Sequence, residues 1–153
     1  LLKEFPKYRG VGLDKSRKAI KIAKFNSGLL STNNRSKFIK CDVDNYKLDQ
    51  YYDLIVSNPP YICSHKIKNL SVDVRRFEPT MALDGGVTGL VTINKVIDRA
   101  KKNLKISGYL YLEIDHDQSR RVCHILKESN FRVIKKLMDY KKKIRCIIGT
   151  RLK

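Results

Sequence analysis

A short apolar run, Tyr52 to Ser57 (Tyr-Asp-Leu-Ile-Val-Ser), ends abruptly in Asn58-Pro59-Pro60-Tyr61. Those residue types in that order suit one kind of chemistry. A nitrogen in an amide or aromatic amine is a poor nucleophile, because its lone pair is delocalised, and it carries two N–H donors. The Asn58 side-chain oxygen offers an acceptor for one donor and the Pro59 carbonyl an acceptor for the other. Two acceptors set this way fix the nitrogen's orientation, favour its pyramidal form and stabilise positive charge developing on it. Prolines lock the backbone and bring no competing N–H. Tyr61 can stack on the planar group being held. The plainer alternative is a rigid turn, since Asn-Pro and Pro-Pro are common loop dipeptides. The apolar strand stops where this chemistry needs the Asn, which favours the chemical reading.

Two acids stand at comparable places. Asp14 follows the strand-like segment Arg9 to Leu13. A carboxylate there can accept hydrogen bonds from two ribose hydroxyls, or it can cap the next helix. Asp42 follows the segment Lys37 to Lys40. It could accept a proton from an adenine amino group, or simply shape the turn in Cys-Asp-Val-Asp-Asn.

The elements that must position these residues alternate. Lys15 to Ser27 reads as an amphipathic helix, with Ala19, Ile20, Ile22 and Ala23 apolar and lysines opposite. Tyr52 to Ser57 reads as a buried parallel strand. Asn58 to Thr88 is a long irregular stretch, of the kind that is usually functional in a compact domain. Leu90 to Leu104 is helical, with Ile93, Val96, Ile97 and Ala100 on one face. Gly108 to Ile114 alternates as a strand, Gln118 to Ser129 is a helix, and Phe131 to Met138 and Arg145 to Arg151 are two closing strands. Too little chain separates those two for a parallel crossover, so they pair antiparallel. Alternating strands and helices predict an α/β fold with a mostly parallel sheet and ligands beyond the carboxyl ends of its strands.

Composition narrows the class. The 153 residues suffice for one domain with a core, and 42% apolar content excludes a disordered chain. No apolar run spans a bilayer, and nothing reads as a signal peptide. Cys41, Cys63, Cys123 and Cys146 are scattered without a C-x-x-C pair, which fits thiols in a reducing cytoplasm. The net charge of +18 favours an anionic partner such as RNA, DNA or a ribosome-associated protein. The lysines are nevertheless spread along the chain among many Asn and Ile, a pattern that compositional bias also produces. Lys141-Lys142-Lys143 reads as a solvated loop. His65, His116 and His124 lack metal-like spacing. Gly10-Val11-Gly12 begins like G-x-G-x-x-G, but Lys15 occupies the last glycine position, so it receives no cofactor role.

Asn58-Pro59-Pro60-Tyr61 resembles the signature of methyltransferases acting on amino or amide nitrogens. The long stretch refines the likeness. Val74-Arg75-Arg76-Phe77-Glu78-Pro79, then Ala82-Leu83-Asp84-Gly85-Gly86 and Gly89-Leu90, is similar to the release factor glutamine methyltransferase pattern. The later segments match as well: Glu113-Ile114 with Gln118, and Asp139 to Arg145 leading into Ile147-Ile148-Gly149. The resemblance covers essentially the whole chain. It implies a Rossmann-like class I methyltransferase sheet, S-adenosylmethionine as methyl donor, and the glutamine of the Gly-Gly-Gln motif in class 1 peptide chain release factors as substrate. It carries Asn58, Pro59, Pro60, Tyr61 and Glu78 over as substrate-binding residues, with Asn58, Pro59 and Tyr61 catalytic, and Asp14, Asp42 and Asn58 as cofactor contacts. The alternative is a nucleic-acid methyltransferase holding a flipped adenine or guanine amino group, or a non-catalytic binding module.

Three departures from that pattern shape the expectations. The family's opening strand, its glycine-rich cofactor loop and its small helical domain have no counterpart here. Residues 1–153 are therefore expected to be a partial catalytic domain that alone binds the cofactor weakly or not at all. The missing strand would lie between the strands ending at Leu13 and Ser57, leaving each with an unpaired edge. Asp115 stands where the family has glycine, and Lys141 to Lys143 replace a glycine-containing loop.

Overall fold

A computed structural model of the chain describes residues 1–46 and 50–153. The chain divides into two units, Leu1–Lys47 and Leu48–Lys153, and each contains its own sheet.

In the first unit, strand β1 (Gly10–Asp14) pairs in parallel with β2 (Ser36–Lys40), and helix α1 (Arg17–Leu29) makes the crossover. The helix begins two residues later than the periodicity predicts, because the cap sits at Ser16. The Ser16 hydroxyl accepts from the Ala19 N–H at 3.2 Å, and the Ser16 N–H in turn donates to Asp14 Oδ1 at 2.7 Å. Gly12 has a packing reason: a Cβ there would lie 2.7 Å from a ring carbon of Phe38, its partner on β2. Residues 1–9 have no regular structure and are tied down by Arg35, whose guanidinium donates to the carbonyls of Leu2, Phe5 and Tyr8 at 3.0, 3.3 and 2.8 Å.

In the second unit, β3 (Tyr52–Ser57), β4 (Leu104–Glu113), β5 (Phe131–Met138) and β6 (Ile144–Arg151) form one sheet in the order β3-β4-β6-β5. β3 and β4 are parallel, and β6 is antiparallel to both its neighbours. Three strands thus run one way and only β6 is reversed, which is the mostly parallel sheet with a closing antiparallel pair that the sequence predicts. Among the described residues β1, β2, β3 and β5 each have one strand neighbour.

The stretch predicted to be irregular is more structured than that. It holds a 3₁₀ segment at Ser64–Asn69 and two short helices, α2 (Val72–Phe77) and α3 (Thr80–Leu83). Pieces of four to six residues are too short for an apolar period to register in sequence. α4 (Val91–Asn103) buries Ile93, Val96, Ile97 and Ala100, and α5 (Ser119–Glu128) buries Val122 and Leu126. These side chains and Leu104, Leu110, Leu112, Ile114, Phe131 and Ile147 make the core of this unit. β4 starts at Leu104 rather than Gly108, because an irregularity opposite Tyr52–Leu54 interrupts the alternation, with Ser107 at φ 63°. No helix is long and apolar enough to cross a membrane among the described residues.

Candidate active site

The sheet of the second unit brings the chemistry-bearing residues to one end. β3 and β4 are parallel, with Ser57 opposite Leu112, so Asn58 and Glu113 emerge side by side. β6 enters beside them, since Glu113 pairs with Cys146 and the Ile114 N–H donates to the Arg145 carbonyl at 3.0 Å.

Asn58 is exposed and Pro59 is buried. Among the described residues neither the Asn58 carboxamide nor the Pro59 carbonyl carries a hydrogen bond. The Asn58 acceptor is thus unengaged on an exposed residue, and the Pro59 acceptor is unengaged on a buried one. Tyr61 is half-buried, and burial pushes its phenol pKa up; Glu113 and Asp115 push the same way, while Arg145 opposes them. The ring therefore stays neutral through the physiological range and presents a flat, uncharged face.

The turn is held from behind by residues that sequence reasoning treated only as a signature. Ile62 and Asp84 form an isolated parallel bridge. The Ile62 N–H donates to the Leu83 carbonyl at 3.0 Å, and the Gly85 N–H donates to the Ile62 carbonyl at 2.8 Å. Gly85 is buried against the turn, where a Cβ would meet the Pro60 carbonyl and Tyr61 Cα at 2.8 Å each. Asp84 closes the clasp: its Oδ1 accepts from Ser64 Oγ at 2.7 Å and from the Gly86 N–H at 2.8 Å. The Leu-Asp-Gly-Gly run is thus a brace for Asn58–Tyr61. The signal that could have revealed this is the glycine pair itself, since adjacent glycines mark close backbone approach.

The hydrogen bond from Ser64, then that from Gly86, holds the Asp84 carboxyl below its ordinary value of 3.8. A depressed carboxylate pKa means that the clasp is complete above the unfolded value and is lost as pH falls through the lower, folded one. In an acid titration the midpoint of the Gly86 amide shift should therefore lie below 3.8, the ordinary carboxyl value. In Asp84→Asn that transition should vanish.

Other predicted residues lie elsewhere. Glu78 follows α2 and is exposed, beside Phe77, itself 74% exposed with the Arg76 guanidinium 5.7 Å from its ring centre. No hydrogen bond links Glu78 to the Asn58–Tyr61 turn among the described residues. In the first unit, Asp14 and Asp42 stand at the same end of the β1–β2 pair, where the Cys41 N–H donates to the Asp14 carbonyl at 3.0 Å. Asp14 is exposed; its Oδ1 takes the Ser16 N–H, and the capping role falls to Ser16 instead. Asp42 is engaged at both oxygens, by Lys15 Nζ at 2.8 Å and by the Asp44 N–H at 3.2 Å. Each Asp42 oxygen already accepts one contact, whereas Asp14 Oδ1 accepts only from the Ser16 N–H among the described residues. Two cavities of about 400 and 420 Å³ also belong to this unit. They are lined mostly by apolar residues of α1, β1, β2 and the first three residues, the second also by Asp14, and by none of Asn58–Tyr61.

A scan for paired histidines overlooks a different grouping. His116 Nδ1 lies 2.7 Å from Asp115 and its Nε2 lies 3.1 Å from Asp117. Ligand atoms of the three residues fall within 4.8 Å of one another. A cation of the chain itself answers one of these carboxylates, Arg145 lying 3.6 Å from Asp115, while Lys143 Nζ lies 3.3 Å from the His116 ring.

Comparison with known proteins places this architecture. Residues 2–71 match the family model UPF0020, RMKL-like, methyltransferase domain. A ribosomal protein L11 methylase structure from Lactobacillus delbrueckii subsp. bulgaricus superposes with TM-score 0.65 at 16% identity, covering 95% of this chain and 58% of that one. The N-methyltransferase NodS from Bradyrhizobium japonicum, in complex with S-adenosyl-L-homocysteine, gives 0.59 at 15% identity, covering 95% and 67%. The fold is therefore the α/β fold of methyltransferases. By sequence the chain is similar to release factor glutamine methyltransferases. It is 36% identical over 137 residues to the release factor glutamine methyltransferase of Thermodesulfovibrio yellowstonii, covering 90% of this chain and 49% of that protein. It is 32% identical over 151 residues to that of Caulobacter vibrioides, covering 99% and 52%. The chain thus spans about half the length of the curated relatives it matches.

Proposed function

We propose that this chain carries the catalytic turn of a protein glutamine methyltransferase. The reaction moves a methyl group from S-adenosylmethionine to the side-chain amide nitrogen of the glutamine in the Gly-Gly-Gln motif of class 1 peptide chain release factors. S-adenosylmethionine, when bound, supplies an electrophilic methyl on a sulfonium. The chain's own work is to hold the acceptor. Asn58 Oδ1 takes one amide hydrogen and the Pro59 carbonyl the other, which turns the nitrogen lone pair out of conjugation. Tyr61 lies flat against the carboxamide. The two oxygens stabilise the charge that builds on nitrogen, and the displaced proton leaves to water. Asp14 binds the ribose hydroxyls, Asp42 the adenine amino group, and Glu78 contacts the release factor.

The observation that carries this reading is the pair of unengaged acceptors, Asn58 Oδ1 and the Pro59 carbonyl, at the carboxyl end of β3 with Pro59 buried beneath them. Relatives at 32 to 39% identity that bear the name release factor glutamine methyltransferase support the choice of substrate. The test supplies the protein, as its gene encodes it, with methyl-labelled donor, a class 1 release factor and total RNA. Label in the release factor, absent when the motif glutamine is replaced by alanine, is the expected result. Label in RNA alone would transfer the assignment to nucleic-acid methylation, the reading that the charge of +18 favours.

A further inference from the structure

Gln118 is 3% exposed, at the junction between β4 and α5. Its side chain reaches three separate segments. Nε2 donates to the Tyr61 carbonyl at 2.9 Å and to the Gly89 carbonyl at 3.0 Å, while Oε1 accepts from the Asp115 N–H at 3.2 Å. Those partners belong to the turn after β3, the loop before α4 and the turn after β4. The assignment is self-consistent, because two carbonyl oxygens require the NH2 end and one N–H requires the oxygen. Every donor of the carboxamide is used, and Gly89 is shaped around it: a Cβ there would fall 2.8 Å from Nε2 and 2.5 Å from the Tyr61 carbonyl. No other residue type offers two donors and one acceptor in this shape; asparagine is one methylene too short.

We infer that Gln118 is the positioning residue of the Asn58–Tyr61 turn, setting the height of Tyr61 and with it the aim of the Pro59 carbonyl. It touches no substrate and acts through the Tyr61 main chain. The part of this inference that concerns methyl transfer rests on the function proposed above; the part that concerns the turn does not. Misplacing a binding group by about an ångström costs on the order of a hundredfold in rate without requiring loss of binding. Gln118 should accordingly show itself in turnover and not in donor affinity.

The test uses Gln118→Met and Gln118→Glu in the protein as its gene encodes it. Two quantities are read: the carbon-13 shifts of the Tyr61 and Gly89 carbonyls, and kcat and KM for methyl transfer to a release factor. Met keeps the length and removes both donors. It should move both shifts and lower kcat about tenfold to a hundredfold, with KM for the donor within about twofold. Glu should behave like Met at neutral pH, because an ionised carboxylate faces two carbonyl oxygens. Acidification should restore part of its kcat, because a protonated carboxyl regains one donor. Tyr61, Glu113, Asp115, His116 and Arg145 also face this region, so the parent is run through the same pH series and its profile divided out. Unmoved carbonyl shifts would overturn the inference, as would shifts that move while kcat stays at the parent value. So would a loss in Gln118→Glu that no acidification relieves. A parent that transfers no methyl to the release factor, together with shifts that respond, sinks the proposed substrate and leaves the tether standing.

Discussion

Asn58→Ala should lower kcat for methyl transfer by roughly 10²- to 10³-fold, about 3 to 4 kcal/mol of transition-state stabilisation, the size expected for loss of one preorganised polar contact to a developing charge. The substitution removes the acceptor for one amide hydrogen and leaves the Pro59 carbonyl alone. An amide held by one hydrogen is free to rotate back into conjugation, so the damage falls on the chemical step. Single-turnover measurement with labelled donor isolates that step from product release. Because the Asn58 side chain is exposed and makes no hydrogen bond within the chain among the described residues, thermal stability should change by no more than about 0.5 kcal/mol. Full single-turnover activity in Asn58→Ala, with the protein folded, would end the amide-holding mechanism.

Gly85→Ala should damage the site by adding a single methyl group. The new carbon would sit 2.8 Å from the Gly89 carbonyl oxygen, 2.8 Å from the Pro60 carbonyl oxygen and 2.8 Å from Tyr61 Cα. All three are backbone atoms, so no side-chain rotation relieves the clash. Overpacking of this kind costs about 1–3 kcal/mol and sometimes more. Relief must come from moving either the 84–89 loop or the turn itself. The expected result is a lower melting temperature together with a fall in kcat of about a hundredfold, since the turn shifts on the scale that positioning tolerates. Normal activity at lowered stability would mean that the loop yields and the turn stays, and that Gly85 is a packing residue only.

The two predictions show where sequence was informative. β3 announced itself as an apolar run with a hard stop, and the stop placed Asn58 at a strand end without any structure. α4 was legible for the same kind of reason: Ile93, Val96, Ile97 and Ala100 recur at helical spacing, and all four are buried. The antiparallel closing pair followed from the shortness of the link between Met138 and Ile144. Its insertion order did not, because nothing in β5 or β6 says which of them lies against β4. The brace was the larger omission. Asp84, Gly85 and Gly89 make contacts with Tyr61 and Ile62 that are far apart in the chain and mostly main chain to main chain, so side-chain periodicity carries no trace of them. Gln118 was hidden differently. It opens a helix that reads as ordinary from sequence, and a carboxamide looks like a surface residue until three partners surround it. Asp42 shows the opposite failure: its place after β2 was anticipated, but its ion pair with Lys15 was not.

The lateral position of β3 has a practical side. The strand that delivers Asn58 runs along the border of its sheet, with Val56 more than half exposed. Among the described residues the strand beneath the turn is laddered on the side of β4. Whatever lays an extended backbone along the other flank would steady the turn without touching it.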